Sequence, residues 1–297
     1  MLQHFFHEPG GSLRDGWKAA LFALGAIACD GAAASLRQAL PPGLQESPWL
    51  PPPLFAALAY LALTWFCLEL EGLPLSSAAL VPDRTWARQW AIGMGSGVLL
   101  ILCTVLPMAL GGGVRLIRNP HGTLAMLLTG TWFHLGVAAA EELLFRGYLF
   151  QRLARSAGSW SALAVTSLLF TAVHLGNPGM TGTVRTWACL NIALAGLALG
   201  LCRLGSRSLA MPFGLHLGWN WAQGMLLGFG VSGFPSSGWW APVFLDRPRW
   251  FTGGRFGLEA SLPCTLVVAA ACCWLVRWCR LTDRPNSSSQ MDDLLNG

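Results

Sequence analysis

Residues 123–152 read TLAMLLTGTWFHLGVAAAEELLFRGYLFQR, and this stretch decides the fold. From Thr123 to Ala140 it carries no residue of formal charge. The hydrocarbon core of a bilayer, about 30 Å thick, needs about 20 mostly apolar helical residues to cross it. The run then meets Glu141, Glu142 and Arg146. Each such group costs about 2.5 to 3.5 kcal/mol near the middle of a membrane helix on insertion scales. A spanning helix with three of them has to turn that face toward protein and away from lipid.

The rest of the chain agrees with a membrane setting. Its 297 residues are 54% hydrophobic and only 11% charged, against about 25% charged for soluble globular chains. That balance argues against a soluble cytosolic enzyme. Eight apolar runs have spanning length: about 17–38, 54–71, 89–111, 123–152, 159–176, 185–203, 208–229 and 258–279. They predict an all-α polytopic bundle, divided as 1–122 (N-terminal helices), 123–229 (helical core) and 230–297 (interfacial loop, last helix and polar tail). The separators hold the expected breakers, from Pro41 and Pro42 through Pro51, Pro52 and Pro53 to a Gly/Pro/Trp loop over 230–257. In that loop Trp239, Trp240 and Trp250 suit an interfacial aromatic belt or a re-entrant segment. The polar stretch 282–297 is expected to lack a fold.

The 19 basic and 14 acidic residues give a net charge of +5, but the bases lie between apolar blocks and form no nucleic-acid patch. With the N-terminus inside, the two sides of an eight-span protein would hold eleven and seven bases, which favours a cytoplasmic N-terminus. No cleavable signal peptide is expected after Lys18. Nine cysteines without paired spacing read as small buried hydrophobes. Gly93 with Gly97, and Gly196 with Gly200, have the spacing of close helix approaches.

Three consecutive polar islands carry the chemistry: Glu141-Glu142-x-x-x-Arg146, Phe170-x-x-x-His174 and His216-x-x-x-Asn220. Glu142 and Arg146, four apart, share a helix face in the favourable order for an ion pair. Glu141 is rotated by about 100 degrees and keeps a free carboxylate. At about 1.5 Å per residue, Glu141 and His174 lie roughly 20 to 25 Å from the cytoplasmic ends of their runs, and His216 and Asn220 roughly 12 to 18 Å. The four therefore overlap in depth. A carboxylate and two imidazoles suit activation of water, with or without a metal ion, and Asn220 and His216 can donate to an oxyanion. That is hydrolysis of an acyl bond, most simply a peptide.

In this order on separate apolar helices, the three motifs resemble those of the CAAX-processing and bacteriocin-processing (CPBP, or Abi) intramembrane proteases, which include the type II CAAX prenyl endopeptidases. The resemblance covers about residues 123–229. It implies that Glu141 and His174 activate the water, that His216 and Asn220 stabilise the oxyanion, and that Glu142 and Arg146 brace the site. Members are described both as glutamate-type proteases and as metalloproteases. It thus implies either no cofactor or a divalent ion such as zinc on Glu141, His174 and His216. It further implies a bacterial plasma-membrane protein acting on a membrane-associated protein or peptide.

Each residue also has a plainer explanation. His174, His216 and Asn220 taken singly are ordinary interhelical hydrogen-bonders. His134, seven residues before Glu141, reads as a packing group, as do Asp30, Asn191 and Gln223. Trp219 and Trp221 are candidates for the wall of a substrate groove. The alternatives to a protease are a non-catalytic membrane binding or immunity factor and a proton-relaying transporter.

Overall fold

A computed structural model describes residues 6–8 and 11–282; the expected polar tail lies outside them beyond Thr282. Nine helices of ten residues or more are present among the described residues: α1 (Asp15–Gln38), α2 (Pro52–Glu69), α3 (Arg84–Leu110), α4 (Leu124–Arg146), α5 (Tyr148–Ala157), α6 (Ser159–His174), α7 (Gly182–Ser206), α8 (Ala210–Asn220) and α9 (Leu262–Thr282). Local chemistry sets their ends. Asp83 caps α3 by accepting from Trp86 N at 2.7 Å, and Thr123 caps α4 by accepting from Met126 N at 3.2 Å. Prolines at the first turn open α2.

All eight apolar runs are helical, but the count of spans divides. Five helices, α1, α2, α3, α7 and α9, are long and apolar enough to cross a membrane. The three remaining runs hold α4, α6 and α8, the helices that bear the polar motifs. α4 stops at Gly147, where a Cβ would strike the Leu143 carbonyl oxygen, and the run continues as the separate α5. α6 is apolar but only 16 residues long. α8 is 11 residues long and widens into a π-helical turn over Trp221–Leu226. The bundle is all-α apart from one short two-stranded antiparallel ribbon, β1 (Val114–Arg118) with β2 (Trp240–Phe244), in register Val114 to Phe244. β1 reads Val-Arg-Leu-Ile-Arg and buries Val114 while exposing Arg115. The ribbon ties the long loop to the end of α3, and Arg118 stacks 3.6 Å over Trp239. Trp239 and Trp240 thus belong to a ribbon and its flank.

The closest helix pair is α3 with α8, which run parallel through two facing glycine pairs. A Cβ on Gly93 or Gly97 would collide with the backbone oxygens of Met211 and Leu215, and one on Gly214 or Gly218 with those of Trp90 and Met94. Four missing side chains let the two backbones touch, which turns the other side of α8, with His216 and Asn220, toward α4 and α6. Gly196 and Gly200 of α7 do similar work against Ser167 and Leu163 of α6. Across α1 and α2, Tyr60 donates to Asp30 at 2.5 Å. Cys29, Cys67, Cys103, Cys189, Cys202, Cys264, Cys272 and Cys273 are free thiols.

At the opposite end from the ribbon, Arg152 of α5 is buried and pairs with Asp15 of α1 at 2.9 Å and Glu71 at 3.0 Å. Lys18 reaches Glu71 at 2.8 Å. Burial alone would push the Glu71 carboxyl up, but hydrogen bonds from Lys18 and Tyr148 and the Arg152 charge outweigh it and hold it below the usual glutamate range. A lowered carboxyl stabilises the fold above the unfolded value of about 4.3 and loses that contribution as pH falls through its folded value. Detergent-solubilised protein is therefore expected to lose thermal stability below about pH 4.3, with Glu71→Gln flattening that acid limb. Gly97→Val is expected to cost on the order of 1 to 3 kcal/mol by overpacking. Gly95→Val, where a Cβ meets nothing, should leave the unfolding midpoint unchanged.

Candidate active site

A cavity of about 990 Å3 lies among α1, α2, α4, α6, α7 and α8, and its wall includes Glu141, His174, His216 and Asn220. The four residues, carried on three helices, therefore line one space. Glu142 lies behind the wall. Its Oε1 accepts from Arg146 Nη1 at 3.2 Å and from His216 Nδ1 at 2.8 Å. Arg146 also donates to the Gly196 carbonyl of α7 at 3.0 Å. The ion pair read from the i,i+4 spacing is present, and the structure adds His216 as a second donor to the same oxygen, a contact that sequence spacing cannot reveal.

The two glutamates differ in setting. The Glu142 side chain is 2% exposed and that of Glu141 is 26% exposed. Glu141 Oε2 is enclosed, has no hydrogen-bond partner among the described residues and faces His216 Nε2 at 3.6 Å. That separation is beyond a normal hydrogen bond. The two ring nitrogens of His216 thus face the two carboxylates of α4. His174 is oriented differently: its Nδ1 lies 2.6 Å from the Phe170 carbonyl. A carbonyl only accepts, so Nδ1 carries the proton and neutral His174 keeps a lone pair on Nε2. Phe170 is the common floor. Its ring centre is 4.5 Å from the Arg146 guanidinium, 4.7 Å from His174 and 6.1 Å from His216, so the first residue of the second motif touches members of all three.

Other sequence expectations divide. Trp219 lines the cavity, while Trp221 donates to Thr131 at 2.9 Å. Asn191 donates to the carbonyls of Glu259 and Ser261 at 2.7 and 2.9 Å. Gln223 donates to Glu259 at 2.6 Å. Glu259, buried and on the cavity wall, carries no signal in the sequence because it sits in a 3-10 turn just before α9, with no helical period to mark it. Burial raises its carboxyl above the ordinary range despite hydrogen bonds from Gln223 and Ser232. His134 differs from its packing expectation: it is 5% exposed, lines the cavity, and its Nδ1 has no partner among the described residues.

A divalent ion would draw on Glu141, His174 and His216. Among the described residues no three His, Cys, Asp or Glu side chains stand together as an ion's ligands would, so this donor set does not fit a bound ion as arranged. Glu142→Ala is expected to lower stability by about 3 to 5 kcal/mol, because it leaves the Arg146 charge buried without its counter-ion. Glu141→Gln should change stability by less than about 1 kcal/mol. Thermal unfolding in detergent separates the two.

No curated protein and no solved structure matches the chain. Residues 122–222 match the family described as type II CAAX prenyl endopeptidase Rce1-like. That segment contains all three motifs, and the helical bundle around it is that of an integral membrane protein. Over residues 122–222 the chain is thereby similar to the CAAX-processing and bacteriocin-processing proteases.

Proposed function

We propose that the protein is an intramembrane endopeptidase that hydrolyses a peptide bond of a membrane-associated protein or peptide, using water activated by Glu141 and His174. The support is the Glu141 carboxylate: its side chain is partly open, its Oε2 has no hydrogen bond among the described residues, and it is on the wall of the cavity that His174, His216 and Asn220 also line. Water between the Glu141 carboxylate and the His174 Nε2 lone pair gives one hydrogen to each. Its oxygen attacks the scissile carbonyl carbon while Glu141 takes the proton. Asn220 and the protonated Nε2 of His216 donate to the resulting oxyanion. As the tetrahedral species collapses, Glu141 returns its proton to the leaving amine.

Glu142 and Arg146 act through His216. Glu142 fixes the ring by accepting from Nδ1, and Arg146 offsets the charge of Glu142. The proposed setting is a bacterial plasma membrane with the N-terminus in the cytoplasm, and the proposed partners are membrane lipids and the protein or peptide substrate.

Terminal peptide mapping should find new N- and C-termini in cells carrying the intact protein that are missing with Glu141→Ala. On a peptide so identified, purified Glu141→Ala and His174→Ala should lose about 10²-fold or more in kcat while remaining folded. Near-normal cleavage by either folded variant overturns the water-activation roles.

A further inference from the structure

We infer that residues 235–237 are a strand template: an extended stretch of the substrate pairs edge to edge with their free peptide groups and is led from there to Glu141. The inference rests on the proposed peptide hydrolysis and adds how the substrate backbone is held. A peptide bond within a membrane helix is shielded by the helix's own hydrogen bonds. A chain that unwinds where water is scarce exposes N–H and C=O groups that are costly to leave unpaired. A strand partner replaces the bonds the helix gives up.

The segment has the required form. Pro235 fixes its own φ near about −65° and disfavours helical geometry at Phe234, and the chain runs without turn or bend from Pro235 to Gly238. Both ends are tied down. At one, Val231 and Phe234 exchange backbone hydrogen bonds of 2.9 and 3.0 Å. Next to them, Asn177 donates to the Ser232 carbonyl at 2.8 Å and Ser232 N donates to Glu259 at 3.2 Å. At the other end, Asn119 donates to the Gly238 carbonyl at 2.8 Å and Trp239 N to the Met225 carbonyl at 2.7 Å. Between these anchors the N–H groups of Ser236 and Ser237 and the carbonyls of Pro235, Ser236 and Ser237 make no hydrogen bond among the described residues. Pro235 and Ser237 are exposed and Ser236 is half-buried, so the row lies at an accessible surface. Unpaired peptide groups along a fixed extended chain are a ready template for another strand.

Location supplies the occupant. Pro235, Ser236 and Ser237 lie on the wall of the cavity that Glu141, His174, His216 and Asn220 also line. Ser236 and His134 both flank Gly224, and His134 precedes Glu141 by seven residues, two helical turns or about 10 Å. An extended peptide advances about 3.3 Å per residue, so a chain paired at 235–237 reaches Glu141 about three residues further on. Pairing through the backbone selects an extended conformation and not particular side chains.

The test uses the purified full-length chain in proteoliposomes and an internally quenched peptide that the intact protein cuts and Glu141→Ala does not. Each peptide nitrogen from the second to the fifth residue on either side of the scissile bond is methylated in turn. Strand pairing gives a period of two on one side. Every second methyl group there should raise KM about five- to tenfold, the value of one hydrogen bond, and those between less than about twofold, with kcat nearly constant. Ser236→Pro and Ser237→Pro each delete a backbone donor of the template. At least one of them, folded by thermal unfolding, should raise KM by a similar factor and shrink the methylation penalty at the paired position. In Glu141→Ala, binding of the same peptide should slow amide hydrogen exchange at Ser236 or Ser237. The inference is overturned if the methylation penalties do not alternate, or if both folded proline variants keep the KM of the intact protein. If neither proline variant folds, the methylation pattern and the exchange decide. If the intact protein cuts no peptide, the protease function fails and the template with it; if it cuts without alternation, only the template fails.

Discussion

A single carboxylate oxygen, Glu142 Oε1, accepts from a guanidinium on its own helix and an imidazole on another, and the arrangement of α4, α7 and α8 depends on it. In a low-dielectric interior an uncompensated charge costs several kcal/mol. Once Glu142 and Arg146 have left water together, each is confined to the geometry that satisfies the other. His216 completes the set. The polar cluster therefore selects one packing of helices that apolar contact alone would leave loose, since lipid tails and leucine side chains are nearly equivalent to each other.

Glycines supply the complementary constraint. The Gly93 and Gly97 pair of α3 meets the Gly214 and Gly218 pair of α8 backbone to backbone, which fixes the rotation of α8 about its axis. Polar contact on one side and close approach on the other hold His216 from two directions. Phe170 adds a third, presenting its ring to Arg146, His174 and His216. Its negative face suits the guanidinium and its apolar body keeps water from reaching the pair behind it.

Much of this was legible in the primary structure because it depends on local spacing. The i,i+4 relation of Glu142 and Arg146 is a property of one helix, and the apolar runs announce themselves by length. The glycines of α3 show by their spacing within an apolar run, whereas their partners Gly214 and Gly218 are interleaved with the polar His216 and Asn220, whose pattern masks theirs. What spacing cannot encode is contact between helices distant in sequence. The bond from His216 to Glu142 and the gathering of Asn191, Gln223 and Glu259 around the start of α9 are of that kind. The ribbon of β1 and β2 was hidden for another reason: its strands are five residues each, too short to show an alternation against a background rich in apolar residues.

The division between five lipid-compatible helices and three that bear polar motifs has a bearing on biogenesis. α1, α2 and α3 precede α4 in the chain, so synthesis delivers three long apolar helices before the first that bears a polar motif. A nascent α4 released alone into hydrocarbon would carry Glu141, Glu142 and Arg146 unshielded. α1 and α2 already border the later cavity through Asp30 and Tyr60, and they provide a surface against which it can shelter. His216 reaches Glu142 only after 74 further residues, so the ribosome must finish most of the polypeptide while the ion pair waits half-assembled.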